Sequence, residues 1–463
     1  VQGELALDAQ GKFLAMRLDW IAEVGAYMTP PAAVATIRNP MVSFTGAYRI
    51  PALHGRWRVA MTNAAPIGNY RGAGRPDIAY VVERLMQQAA VETGVDPVAL
   101  RRRNYIPAEA FPYKTPTGSV YENADFAGLM DKALAAADWD GFPARQAESS
   151  KAGKLRGRGM ATVIETTNAG AQPKDQVALQ VQGDGRVIVH TVSHAQGQGH
   201  ETTLAMLVAR ALQIPTERVV VRQGLNEPAL LGNHTGGSRN TVGVGTVCHL
   251  TALKLIDQGK ARVAEAWGVE PSQVAYARGA FTCKEPNKNR ALQELAGNGM
   301  FETIGEGAFG ATFPNDCHVA EVEVDPETGQ VTVMSYVTAD DFGVIVNDTI
   351  VEGQLHGAVL QGAGQVFGEV AHYDSASGQM LTASFMDYYL PRAGLIRDIN
   401  MNHHATPSRV SPLGVKGMGE AGLTGALPAL TNAVLDALRG VGITYLNMPL
   451  TPATTADSSA KPS

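Results

Sequence analysis

The 463-residue chain is poor in cysteine: Cys248, Cys283 and Cys317 are its only three, and none forms a CxxC pair. So few thiols exclude a disulfide framework and an iron–sulfur cluster bound by this chain alone. A reduced protein is expected, in the cytoplasm or, given an upstream signal, the periplasm. No apolar run is long enough to cross a bilayer. There is no excess of positive charge: 18% charged residues is an ordinary globular share, and the net −6 gives no electrostatic reason to expect nucleic acid or an anionic membrane as a partner. There is no P-loop and no GxGxxG closing a strand in a βαβ unit, which disfavours the ordinary nucleotide folds. No glycine-flanked serine nucleophile or paired-carboxylate motif supports a hydrolase. The chain has no initial Met either. It opens at Val1 directly in a strand pattern, so we expect it to begin inside a larger domain, with any targeting signal upstream.

What is present is glycine, 50 of 463 residues or about 11% against an ordinary ~7%, gathered in particular loops. The length suits two or three domains. Hairpin signatures at Asp8–Gly11, Gly183–Gly185, Asp325–Gly329 and Asp374–Gly378 are mostly flanked by alternating apolar and polar residues. Helices are predicted from Asp77 to about Gly94, from Asp96 (an Asp cap with Pro97 just inside), from Glu201 to Leu212 and from Ala426 to Leu438. Strands and helices that do not strictly alternate predict an α+β fold. The basic stretch Lys151–Gly159 is the best domain boundary, with a weaker one near Gly297–Gly299. This gives domains 1–150 and 151–450, and a tail, 451–463, without hydrophobic pattern and expected to be disordered.

Five glycine- or amide-rich loops carry the chemistry. Asn69-Tyr-Arg-Gly-Ala-Gly-Arg-Pro-Asp77 precedes a helix, so it is either an anion site at that helix's N-terminus or a tight turn capped by Asp77. His194-Ala-Gln-Gly-Gln-Gly-His-Glu-Thr202 offers two glutamine amides to a heterocycle edge. Its His200-Glu201 pair lacks the second histidine of a zincin, which argues against a protein-ligated metal there. Asn233-His-Thr-Gly-Gly-Ser-Arg-Asn-Thr241 has what a phosphate site needs but alone reads as a surface turn. In Gly353–Gly364 the GxxxG spacing reads best as close helix packing. The fifth is Val415-Lys-Gly-Met-Gly-Glu-Ala-Gly422, in which Glu420 sits between glycines with no cation beside it. Burial there would raise its pKa, as suits a general base near neutral pH. The pairs Asp340-Asp341 and His403-His404 point apart and read as ordinary strand or surface residues.

These motifs, in this order, resemble the molybdenum hydroxylases: the xanthine oxidase, aldehyde oxidoreductase and aerobic carbon monoxide dehydrogenase large subunits. The resemblance rests on Tyr70-Arg-Gly-Ala-Gly-Arg-Pro, Gln196-Gly-Gln-Gly-His-Glu-Thr, Gly237-Ser-Arg, Gly353-Gln-Leu-His-Gly with Gln361-Gly-Ala-Gly, and Lys416-Gly-Met-Gly-Glu, and runs to about residue 450. It implies two molybdopterin-binding subdomains, the first N-terminally incomplete. It implies that the backbone of Arg71, Gly72 and Ala73 approaches the molybdenum ligands. Gln196, Gly197, Gln198, Gly237, Ser238, Arg239, Asn240 and Gln354 would contact the pterin and its pyrophosphate, with Gln361 and Gly419 nearby. Glu420 would deprotonate a Mo–OH group whose oxygen attacks an electron-poor carbon while hydride passes to Mo=S. The metal would be held by pterin dithiolene sulfurs and by no protein side chain, in agreement with a sequence that shows no His/Cys/Asp cluster. The implied cofactor is molybdopterin cytosine dinucleotide, with 2Fe–2S and FAD on other subunits and a small-molecule substrate.

Two departures shape the expectation. Carbon monoxide dehydrogenases of the family carry Cys where this chain has Gly72-Ala-Gly, which argues against that activity. The family's upstream portion is missing, so a separate polypeptide or the rest of a longer chain is expected to complete the site. Ala73, where purine enzymes place an aromatic ring, favours an N-heteroaromatic or aldehyde substrate over a purine. The competing reading is a non-catalytic structural subunit that keeps the fold.

Overall fold

The computed structural model describes residues 1–167, 172–225, 227–297 and 299–459. Three sheets organise it. In the first, β1 (Gln2–Leu7) and β2 (Phe13–Glu23) are antiparallel, and β3 (Ala52–Ala60) runs parallel to β2. The second is central and four-stranded. Its order is β11 (Asn400–His403), β10 (Val331–Asp341), β9 (Asn315–Val324) and β4 (Leu155–Ile164), antiparallel except for the β10–β11 pair. The third has the order β8 (Met300–Gly307), β5 (Asp175–Gln182), β6 (Val187–Thr191) and β7 (Val219–Gln223). Mixed pairing of this kind is the expected α+β arrangement.

Each sheet builds a core with its own helices. α1 (Arg75–Thr93), α2 (Pro97–Asn104) and α3 (Phe126–Ala136) pack with the first sheet and one face of the central sheet around Phe13, Tyr48, Ile78 and Leu129. α4 (Phe142–Lys151) leads by a short turn into β4, so the basic stretch 151–159 runs from a helix end into a central strand. α5 (His200–Leu212) and α6 (Thr246–Trp267) cover the third sheet. α7 (Asp348–Phe367) and α8 (Ala421–Leu438) cover the other face of the central sheet.

α8 lies so close to β4 that a Cβ on Gly159 would fall 2.3 Å from Ala429 O. Only glycine permits that approach. α8 starts at Ala421, five residues before its predicted start, because Gly422 and Gly425 pack against Leu355 and His318 and packing overrides their poor helix propensity. The Gly353–Gly364 stretch lies within α7, but the GxxxG pair Gly353 and Gly357 is exposed and packs on no helix; it is Gly362, outside that spacing, that abuts Ala426 of α8. Two further expectations fail. The tail is not patternless coil, since α9 (Pro452–Ser459) is anchored by the buried Thr455 hydroxyl, which donates to Gly329 O. Residues 460–463 of that tail lie outside the described residues, as does Asn298 of the weaker boundary. Asp77 does not cap α1 either, because Gly74, at φ +88°, occupies the N-cap and Asp77 lies in the first turn.

Candidate cofactor-binding site

A cavity of about 510 Å³ opens where four of the five loops meet. Arg71 lines it from the first loop, Gln196, Gly197 and Gln198 from the second, Gly237, Ser238, Arg239 and Asn240 from the third, and Gly419 and Glu420 from the fifth. Gln354 joins them from the second turn of α7. Phe342, Val344, Ile345 and Val346 add an apolar wall after β10. His200 begins α5, Asn347 caps α7 and Glu420 stands at the N-cap of α8, so three helix N-termini converge on the cavity. Their unpaired N–H groups and positive dipole ends favour an anion such as a diphosphate.

One side chain ties these loops together. Arg71 Nε donates to Gly419 O at 2.6 Å, and its Nη2 donates to Gln354 O at 3.1 Å and Gln354 Oε1 at 3.2 Å. Gln354 Nε2 in turn donates to Gly197 O at 3.3 Å. Burial lowers the pKa of the Arg71 guanidinium, with Glu420 and Glu165 pulling it the other way. The third loop is not the surface turn it resembles alone: Asn233, Thr235, Arg239 and Asn240 are buried. Asn240 Nδ2 donates to Ser193 Oγ at 2.7 Å, while Asn240 Oδ1 is a buried acceptor with no partner among the described residues. His200 is engaged with Asn240 and burial pushes its pKa down to about 4, so it stands as a neutral imidazole.

Glu420 is a partly buried carboxylate with three donors. Its Oε1 accepts from Gly72 N at 2.9 Å, and its Oε2 accepts from Arg75 Nη2 and from Ser238 Oγ, each at 2.7 Å. A cation is therefore beside it after all, delivered from 345 residues away by the fold. Arg75 is itself fully buried, and Glu165 Oε1 lies 2.7 Å from its Nε on the other side. Burial lowers the Arg75 pKa, but the two carboxylates more than offset that and hold it above its usual value. Glu165 behaves oppositely. Its burial outweighs the attraction of Arg75, and its pKa rises to about 8. The geometry explains the imbalance, because Arg75 Nε also donates to Gly72 O and neither Glu165 oxygen has an aligned donor. The fifth loop crosses the third so closely that a Cβ on Gly417 would fall 1.7 Å from Ser238 O. Lys416, the next residue back, anchors the loop through a buried 2.6 Å ion pair with Asp341.

Some expected residues are brought together only indirectly. Gly72 reaches Glu420 through its N–H, whereas Ala73 (φ +45°) turns its carbonyl to Asn39 Nδ2 at 2.8 Å and does not line the cavity. Gln361 lies within α7, where its backbone carbonyl accepts from the Tyr70 hydroxyl at 3.4 Å. Sequence reasoning missed Glu165 and the role of Arg75. The signals were an acid ending the apolar run of β4 and a second arginine in the first loop.

Two sequence families, both described as molybdopterin cofactor-binding domain, match residues 132–397 and 1–105. The chain belongs to the molybdenum hydroxylase large subunits. It is 33% identical over 479 residues to the nicotine 6-hydroxylase large subunit of Paenarthrobacter nicotinovorans, covering 97% of this chain and 58% of that one. It is 30% identical over 480 residues to the carbon monoxide dehydrogenase large chain of Hydrogenophaga pseudoflava, covering 97% and 59%. Among solved structures, quinoline 2-oxidoreductase from Pseudomonas putida 86 superposes with a TM-score of 0.89 at 28% identity, covering 98% of this chain and 61% of that one. A Cu,Mo-CO dehydrogenase superposes at 0.90, also with 28% identity and 98% and 61% coverage. The chain thus spans about three-fifths of the length of these molybdenum hydroxylase relatives. It shares with them a mixed fold of two molybdopterin-binding domains.

Proposed function

We propose that this chain is the cofactor-holding part of a hydroxylase or dehydrogenase that oxidises an electron-poor ring or aldehyde carbon with water as the oxygen source. The observation that carries the proposal is Glu420: a carboxylate fixed by three donors at the mouth of a cavity whose other lining suits a pterin diphosphate. The residues fit that group. Gln196 and Gln198 offer amide edges to a pterin, and Asn240 Oδ1 is a buried acceptor awaiting a donor. Gly237–Asn240 and the three helix N-termini suit the diphosphate, which we take to carry cytosine. When bound, the molybdenum group would supply the transferred oxygen and take up the substrate's two electrons.

Glu420 acts at a definite atom. Oε2 already accepts two hydrogen bonds, whereas Oε1 accepts only that of Gly72 among the described residues, so Oε1 keeps a lone pair for an incoming proton. Arg71 and Gln354 hold the loops at fixed separation, and the wall from Phe342 to Val346 keeps the reacting face apolar. The names of the nicotine and quinoline enzymes support an N-heteroaromatic substrate for this chain. A remaining large-subunit portion, a 2Fe–2S subunit and an FAD subunit would complete the complex.

The test is analysis of the purified complex for molybdenum and cytidine, followed by turnover of N-heteroaromatics and aldehydes in 18O-labelled water. Equimolar molybdenum and cytidine with label in the hydroxylated product are expected. A folded complex that holds neither is a structural subunit, and the proposal fails.

A further inference from the structure

The sequence shows no His/Cys/Asp cluster, but the fold assembles one outside the cavity. Asp316 and His318 project from the same face of β9, and Asp340 lies directly opposite Asp316 in the antiparallel register of β10. All three are fully buried. One potential ligand atom from each lies within 4.8 Å of the others. The cluster is roofed by α8, with Gly425 so close that a Cβ there would fall 2.4 Å from His318 Cδ2.

The hydrogen bonding leaves this cluster unfinished. Both Asp316 oxygens, Asp340 Oδ1 and His318 Nε2 have no partner among the described residues. The opposite edges of two of these groups are fixed: His318 Nδ1 meets the Tyr336 hydroxyl at 2.7 Å, and Asp340 Oδ2 accepts from Thr338 Oγ1 at 2.7 Å. With Nδ1–H donating to Tyr336, the imidazole keeps a lone pair on Nε2, the arrangement by which an outer partner orients a histidine ligand. The cations nearby are committed elsewhere, Lys416 to Asp341 and Arg75 to Glu420 and Glu165. Two ionised carboxylates in a dry core, with one donor between them among the described residues, are unfavourable without a counter-charge.

We propose that Asp316, His318 and Asp340 form a structural site for a divalent first-row cation, Zn2+ or Mn2+, clamped between β9 and β10 beneath α8. Ligand atoms within 4.8 Å of one another can hold an ion at about 2.0–2.2 Å once each side chain closes in by roughly half an ångström. One imidazole and two carboxylates suit such an ion better than Ca2+, which takes oxygen ligands only. The ion cancels the two negative charges and cross-links the strands under the helix whose first residue follows Glu420. Because the cluster is fully buried, the ion enters as the sheet forms and is retained.

The test uses the protein in the complex in which it is isolated, dialysed against EDTA. Elemental analysis is expected to find about one zinc or manganese per chain beyond molybdenum and iron. An anomalous-scattering peak at that metal's edge is expected between the three side chains. Asp316→Asn and Asp340→Asn should lose the ion while molybdenum content stays unchanged, so the outcome is independent of the proposed function. If these variants do not fold, the anomalous map of the wild type decides. Absence of the peak in protein produced with added Zn2+ or Mn2+ overturns the proposal, as does metal content unaffected by Asp316→Asn. A protonated-carboxyl infrared band in the wild type that Asp340→Asn removes would show a proton shared by the acids in place of an ion, and also overturns it.

Discussion

Replacing Glu165 by Gln should change how stability depends on pH, because this fully buried acid holds a proton that the unfolded chain would release. Burial is the larger influence, Arg75 opposes it, and the charge of Glu420 adds to it; together they move the carboxyl from 4.5 to about 8. The sign follows from proton counting. Between those values the folded protein binds more protons at Glu165 than the unfolded chain does, so this contribution to stability is present at low pH and is lost as pH rises toward about 8. The full slope is ~1.4 kcal/mol per pH unit, or on the order of 4 kcal/mol from about pH 5 to 8. Glu165→Gln keeps the shape of the protonated acid and cannot ionise. Urea unfolding of both proteins across that range should show the variant gaining on the wild type with each pH unit, and the difference levelling above about pH 8. Infrared spectra should show a protonated-carboxyl band, absent from the variant, that disappears through the same range. Parallel stability curves would refute the reasoning. A wild type that gains on the variant as pH rises to about 5, with parallel curves above, would show that the 2.7 Å contact with Arg75 keeps Glu165 ionised.

Three further substitutions probe the supports of the site. Arg75→Leu strands Glu420 without its counter-charge and should cost ~3–5 kcal/mol in urea unfolding; at neutral pH, where Glu165 already holds its proton, adding Glu165→Gln should recover little of that loss. Lys416→Met leaves the fully buried Asp341 unpaired, so a similar ~3–5 kcal/mol loss is expected, read as a lower unfolding midpoint. Gly159→Ala inserts a Cβ 2.3 Å from Ala429 O, which forces α8 off the sheet; a loss of ~1–3 kcal/mol by the same assay is expected.

The sequence made local features legible and left long-range ones hidden. The 3.6-residue pattern of Ile78, Val82 and Met86 placed α1, and Asp96-Pro97 marked the start of α2. Glycines flanking Glu420 marked a loop suited to close approach of a ligand, whereas Gly417 is needed for the approach of another loop at Ser238. The charge partner of Glu420 could not be read from its neighbours, because Arg75 lies 345 residues away and the fold alone joins them. Glu165 read as the end of a strand, and its importance comes from burial, which local sequence does not report. The Asp340-Asp341 pair was right as a strand but not as surface. Alternation sends Asp341 to Lys416 and Asp340 to the opposite face, and both are fully buried. The tail helix was missed because its Thr- and Ser-rich sequence lacks an apolar stripe, and a buried threonine hydrogen bond supplies the anchor.

The central claim is that Glu420 receives a proton at a cofactor held by the surrounding loops, and Glu420→Gln tests it most directly. The amide keeps the shape of the side chain and removes its basicity, so the assembled complex should retain molybdenum and cytidine at wild-type stoichiometry. Its turnover should fall by roughly 10²–10⁴-fold. Turnover within a few-fold of wild type, with the cofactor still bound, would contradict the account.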